Sequence, residues 1–339
     1  MSPRTFAVVS LRGDVPRLDD APGPADPAAP DPAGPFRVVV AGSPTDADEV
    51  LSAIAQAEIY TPWILVGDAA QHELIATIAD CVLDGAIGVF GLAGVIVVDG
   101  SVPGVVRERE VPADATAADD LAVAVRRLAG RIADRSPRVP EAWARVIASS
   151  RTDVAVRATY ARRALADDPE YAPRSLSPAQ LALLRQVARR VMPQGEGPAM
   201  DLAARLDRMV DAGESDGWRP TGMSTDEEAY RAGLDALAAI WKRGSAAQDE
   251  VIREVIAGTA APNSALSPGQ LSLWFEDVRN DLVRAWLSHP ASLARVGYSG
   301  FATGGTGPEP AGYLVLAAGR REEWEPAELG RLEAEGDAA

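Results

Sequence analysis

Cysteine is all but missing. Cys81 stands alone in 339 residues, so no intrachain disulfide forms and no cysteine-based zinc or iron–sulfur site can be assembled. Histidine is nearly as scarce: His72 and His289, far apart in sequence, are the whole complement. That excludes a histidine-rich metal site and leaves a Ser-His-Asp triad only one of two imidazoles to be built around. Aromatic residues amount to 5%, and Lys242 is the one lysine among 33 basic residues. Long apolar runs are lacking too. No stretch reaches the ~18 residues of a membrane-spanning helix, and the best candidate, Ala86 to Val98, is broken by Gly88, Gly91 and Gly94. Met1-Ser2-Pro3-Arg4-Thr5 shows no charged region leading into an apolar stretch and no twin arginine. These absences predict a cytoplasmic chain with no membrane partner.

Acid is what the chain has in excess. Its 49 acidic residues outnumber the basic ones and leave a net charge of −16, which repels phosphate backbones and argues against a nucleic-acid partner. Hydrophobic residues make up 47%, enough for real cores, and the length suggests about two domains.

The N-terminal part reads as an α/β domain over residues 1–135, a sheet with flanking helices. Phe6 to Leu11 is a strand-like apolar run. Residues 12–35 then form a loop rich in Pro, Ala and Asp that cannot bury a core. A second strand, Phe36 to Ala41, runs into Gly42-Ser43-Pro44, where Ser43 can cap a helix with Pro44 in its first position. This turn holds neither G-x-G-x-x-G nor G-x-x-x-x-G-K-[ST], so it reads as a capped turn in preference to a phosphate site. Trp63 to Val66 forms the third strand, and Leu74, Ile75, Ile78 and Val82 mark a helix closed by Gly85. Gly88 to Val98 supplies strand material, Asp99-Gly100 a hairpin-type turn into Val102 to Val111, and Ala117 to Ala133 another helix. Thr61 to Asp68 resembles the strand that leads to the acidic metal-binding motif of family-2 glycosyltransferases, although Asp68 stands without the clustered aspartates. His72 suits a structural histidine, and Cys81, among Ile78, Val82 and Leu83, suits a buried small hydrophobe.

From about Pro140 the pattern is helical: a connector over 140–175, a bundle domain over 176–326 and an acidic tail over 327–339. Leu176-Ser177-Pro178-Ala179-Gln180-Leu181 and Leu266-Ser267-Pro268-Gly269-Gln270-Leu271 use one helix-start device twice, with Ser as cap, Pro first and Gln reaching back. Ser224 and Glu227 suggest a third capping box. The apolar faces are Leu181, Leu184, Val187 and Val191; Tyr230, Leu234, Leu237 and Trp241; Val251, Ile252, Val255 and Ile256; and Leu271, Trp274, Phe275, Val278, Leu282 and Trp286. Together they predict a bundle. His289, before Pro290 at a helix end, suits a cation facing the helix dipole or a group reaching a shared active site. A glycine- and proline-rich segment carrying Tyr298, Phe301 and Tyr313 must lie on this chain or on a partner. Trp324, set among carboxylates, suits either a docking anchor or a tail folded back on its own bundle.

Over about 176–326 the chain resembles the gluconate 2-dehydrogenase subunit 3 family. The resemblance rests on residues 176–185, Val191-Met192-Pro193, Tyr230-Arg231-Ala232-Gly233-Leu234-Asp235 and Trp274-Phe275-Glu276-Asp277-Val278-Arg279. It continues through Ser288-His289-Pro290, Gly297-Tyr298-Ser299-Gly300, Gly312-Tyr313-Leu314 and Trp324-Glu325-Pro326. It implies a small helical subunit associated with a large FAD-dependent oxidoreductase of the glucose–methanol–choline type, which oxidises sugars, sugar acids or alcohols. The flavin is then the partner's, this chain holds no cofactor, metal or catalytic residue, and His289, Tyr298, Phe301, Tyr313 and Trp324 are candidates for the partner interface. Two alternatives stay open: a nucleotide- or nucleotide-sugar-binding enzyme working through the α/β domain, and a protein-binding scaffold.

Overall fold

A computed structural model describes residues 6–12, 36–40, 44, 46–100, 111–117, 120–133, 135–168, 170–195, 197–214, 224–262, 266–298, 300–301, 314–315 and 317–326. The chain forms two compact units, one of residues 1–169 with 289–339, the other of residues 170–288.

The first unit is built on a five-stranded parallel sheet in the order β2-β1-β3-β4-β5. Its strands are β1 Phe6–Ser10, β2 Phe36–Val40, β3 Trp63–Asp68, β4 Leu92–Val98 and β5 Ala113–Thr116. Helices cover both faces, so the central strands read as unbroken apolar runs without alternation. Every residue of β1 and β4 is buried. The period of two survives in where the side chains go. Ala7, Val9, Leu65, Val95 and Val97 pack with α1 (Ala47–Gln56) and α2 (His72–Leu83). Phe6, Val8, Ile64, Val66, Ile96 and Val98 pack with α3 (Leu121–Ala133).

One local expectation changes. Asp46 caps α1, its carboxylate accepting from the Asp48 N–H at 3.0 Å; the helix begins after the predicted Pro44 start, and Ser43 lies outside the described residues. Residues 101–110, which carry most of the strand expected after Asp99-Gly100, lie outside the described residues; the strand that follows them, β5, runs parallel to β4. Gly85 does close α2, with φ of 89°. A Cβ there would lie 2.5 Å from the Val154 carbonyl oxygen.

The same unit continues through α4 (Glu141–Ala148) and α5 (Val154–Arg163), and α11 (Pro290–Arg295) returns to it. Arg157 of α5 is buried and donates to the carbonyls of Gly85 (2.6 Å), Thr152 (2.5 Å) and Ser149 (3.3 Å). Phe90, Trp143 and Ile147 form an apolar cluster with Ala291, Ala294 and Phe301. The residues after Ser288 therefore belong with the sheet, whereas the sequence pattern had grouped them with the helices up to 326. The cause is tertiary. α11 is too short to hold a core of its own, and the partners of Phe301 lie some 150 residues earlier.

The second unit is a helical bundle of α6 (Pro178–Val191), α7 (Leu202–Asp211), α8 (Asp226–Ile240), α9 (Ser245–Ile256) and α10 (Pro268–Leu287). Ser177 with Gln180 and Ser267 with Gln270 form the two expected capping boxes. The third is shifted by one residue: Thr225 pairs with Glu228, while Glu227 ion-pairs with Arg231 at 2.6 Å. The predicted apolar faces meet in one core around Leu184, Leu206, Leu234, Val251, Trp274 and Phe275. Ile256 departs from its face and is 47% exposed.

Candidate functional site

The strand order reverses between β1 and β3: β2 lies on one side of β1, and β3, β4 and β5 follow on the other. In open parallel sheets the crevice beyond the carboxyl ends of the strands at such a reversal is where ligands collect. Here those ends deliver Ser10, Leu11 and Arg12 from β1, and Gly67 and Asp68 from β3. A single 3₁₀ turn, Ala69–Gln71, follows directly.

Gln71 clasps the two strand ends together. Its side-chain oxygen accepts from the Asp68 N–H at 3.0 Å, and its amide nitrogen donates to the Leu11 carbonyl at 3.1 Å. Arg12 then lies against Asp68, with Nη1 to Oδ1 at 2.6 Å. The arginine side chain is 15% exposed and the carboxylate 43%. A pair so open to solvent stabilises by about 1 kcal/mol at most. Its chemistry matters more than its energy. A cation and an anion stand side by side, so the crevice offers a ligand one group of each sign. Asp68, the lone carboxylate of the glycosyltransferase-like strand, is held by an arginine. Among the described residues no group of three or more His, Cys, Asp or Glu side chains could hold a metal ion.

The other titratable residues singled out in the sequence stand apart from this crevice. His72 is exposed at the start of α2, with Nδ1 3.2 Å from the Ala69 carbonyl. Cys81 is partly buried, not fully as its neighbours suggested. Burial, then the carboxylates of Asp48, Asp80 and Asp84, push its thiol pKa up, which keeps it protonated and a poor nucleophile.

The five candidate interface residues fall in the first unit, four of them among the described residues. His289 is wholly buried and caps α11, Nδ1 accepting from the Ala291 N–H at 3.1 Å. An accepting Nδ1 carries no proton, so the expected cation at a helix C-terminus is replaced by a cap at a helix N-terminus. Phe301 is 1% exposed and meets the rings of Tyr160 and Tyr298 edge-on at 5.0 and 5.7 Å. Tyr298 is 45% exposed, and its carbonyl accepts from Trp143 Nε1 at 2.9 Å. Trp324 is partly buried against the same cluster, with the Arg151 guanidinium 5.4 Å from its ring. Tyr313 lies outside the described residues. All four described candidates thus make contacts within their own chain, Tyr298 being the most exposed among them.

In the bundle the structure reveals a centre that sequence reasoning missed. Asp207 of α7 is completely buried. It accepts from the Tyr171 hydroxyl at 2.6 Å and from the backbone N–H groups of Arg174 (2.7 Å), Ser175 (3.2 Å) and Leu176 (2.7 Å). Burial, and then this carboxylate, push the Tyr171 phenol pKa up. With its oxygens so occupied, Asp207 is a structural latch and not a general base. The signal was there to be read: Ala203, Ala204 and Val210, three or four residues away, put Asp207 on the buried apolar stripe of its helix. Arg12 was hidden, as the first residue of the proline-rich stretch.

No family model, no curated protein and no solved structure matches this chain.

Proposed function

We propose that the chain is an accessory subunit of an FAD-dependent oxidoreductase of the glucose–methanol–choline type, one that acts on a sugar, sugar acid or alcohol in the cytoplasm while its partner holds the flavin. The reading is supported by the way three of the segments resembling gluconate 2-dehydrogenase subunit 3, those at 176–185, 230–235 and 274–279, interlock within one bundle. Arg231 donates twice to the Ser175 carbonyl, at 2.9 and 2.6 Å. Asp235 accepts from Gln180 at 2.8 Å. Tyr230 meets Trp274 edge-on at 6.2 Å. Gly233 lets that indole close in, since a Cβ there would sit 2.1 Å from the ring. Residues scattered over a hundred positions thus act as one device whose purpose is a rigid helical surface. On that surface Ile256, Leu273 and Val283 are exposed, and α9 and α10 are joined there by Ser272 Oγ, which donates to the Ile256 carbonyl at 3.2 Å. Leu273→Asp together with Ile256→Asp is expected to cut recovery of the flavoprotein at least tenfold while leaving helix content unchanged by circular dichroism. Undiminished recovery would remove this face from the proposal.

A second reading has its own observation. The strand-order reversal with Arg12, Asp68 and Gln71 at the carboxyl edge favours a nucleotide or nucleotide-sugar ligand on the α/β unit. It predicts thermal stabilisation by such a ligand that Arg12→Ala abolishes. A flat response across nucleoside di- and triphosphates and nucleotide sugars counts against it.

A further inference from the structure

We infer that the first unit carries a binding site for a short-chain aliphatic carboxylate at the amino-terminal edge of the sheet, the edge opposite the Arg12–Asp68 crevice. A cavity of about 50 Å³ lies there, walled by Phe6, Phe90, Leu92, Ile132 and Val139, with Arg138 on its lining. The five apolar walls are buried, whereas Arg138 is exposed, so the void is greasy in its depth and cationic at its rim. Ser136 also lines it, but its hydroxyl already donates to the Ala164 carbonyl at 3.2 Å. Arg138 makes no hydrogen bond or ion pair among the described residues. In a chain of net charge −16 many arginines have found a carboxylate, among them Arg12, Arg145, Arg162, Arg185, Arg190 and Arg231. What sets Arg138 apart is its place on the lining of an apolar cavity, where its guanidinium can pair with an anion that carries an apolar tail.

The dimensions set the ligand class. The cavity opens to solvent, but its depth is apolar and offers water few partners, so it suits a short hydrocarbon tail more than ordered water. The carbons next to the carboxylate lie in the mouth, and the carboxylate meets the planar fork of Arg138 in two parallel hydrogen bonds. An acid of roughly four to six carbons satisfies both ends. A neutral alcohol of equal length satisfies only the tail, and acetate only the head.

Calorimetric titration of the full chain with hexanoate, 1-hexanol and acetate tests this site. Hexanoate is expected to bind with Kd on the order of 1 mM, and the other two at least tenfold more weakly. Arg138→Gln should bring hexanoate down to the level of hexanol. Ala133→Leu, which fills the void from its wall, should abolish binding of both, and Ala93→Leu, on another wall, replaces it where the first variant fails to fold. The site is refuted if hexanol binds as well as hexanoate, if hexanoate binding survives either Arg138→Gln or the filled cavity, or if no saturable binding is seen.

Discussion

Asp207 offers the sharpest test of how the bundle is held together. Its carboxylate takes four hydrogen bonds, two on each oxygen, from Tyr171, Arg174, Ser175 and Leu176, and it is wholly buried. Asp207→Ala strands a phenol and three backbone N–H groups, each costing about 1–3 kcal/mol where water cannot reach it. Some relief comes from Tyr171 turning outward, which places the expected loss at about 3–5 kcal/mol, in the range seen when one partner of a buried charged network is removed. Asp207→Asn keeps the shape, but its N–H₂ faces two backbone N–H groups in one flip and, in the other, the Arg174 N–H beside a Tyr171 hydroxyl that can turn to accept, so about 2–3 kcal/mol is expected. Tyr171→Phe removes one donor and leaves three bonds standing, for about 1 kcal/mol. Urea unfolding of the full chain, followed by far-ultraviolet circular dichroism and resolved into the transitions of the two units, measures all three. The ranking Ala, then Asn, then Phe is the signature. Asp207→Ala and Asp207→Asn both within about 0.5 kcal/mol of the parent, the range of an ordinary surface substitution, would refute the latch.

Gly233→Ala drives a methyl into the Trp274 indole, 2.1 Å away, and should cost at least about 1–3 kcal/mol of overpacking; a Trp274→Leu background should absorb most of that loss, and additive losses would contradict the packing. Arg157→Met leaves the carbonyls of Gly85, Thr152 and Ser149 without their shared donor, so the first unit should lose about 2–4 kcal/mol, visible as a lower urea midpoint for that unit alone. Alkali should weaken the bundle. Burial raises the Tyr230 pKa, with Asp281 adding to it, and burial together with Asp207 raises that of Tyr171. A raised folded pKa gives stability that is complete below the unfolded value of about 10 and declines above it. Stability should therefore fall from about pH 10 upward, more gently in Tyr171→Phe with Tyr230→Phe; an equal fall in that variant would place the cause elsewhere.

Local chemistry was legible in the sequence where it decides structure by itself. The Ser-Pro-x-Gln starts of α6 and α10 are capping boxes because the cap, the proline and the glutamine all act within one turn. The apolar faces of α8 and α10 were readable because a buried stripe repeats every three or four residues. What escaped depends on distant partners. β5, the four residues Ala113–Thr116, is too short and too polar to show a strand pattern, and only its pairing with β4 makes it one. Phe301 looked available to a partner because nothing nearby in sequence covers it, yet it joins Trp143, Ile147 and Phe90 in one cluster; His289 is likewise buried, as the cap of α11. Arg12 meets Asp68 only because β1 and β3 are neighbours in the sheet, and the donors that meet Asp207 come from the earlier segment 171–176.

The proposed role stands or falls on what the chain is bound to in its own cells. Affinity-tagged full-length protein would be purified from them, run on a sizing column with absorbance followed through the visible range, and its companions sequenced. Co-elution with a glucose–methanol–choline-type flavoprotein carrying about one FAD per complex is the predicted result. Elution alone and colourless, from cells shown to contain such a flavoprotein, would contradict the role of accessory subunit.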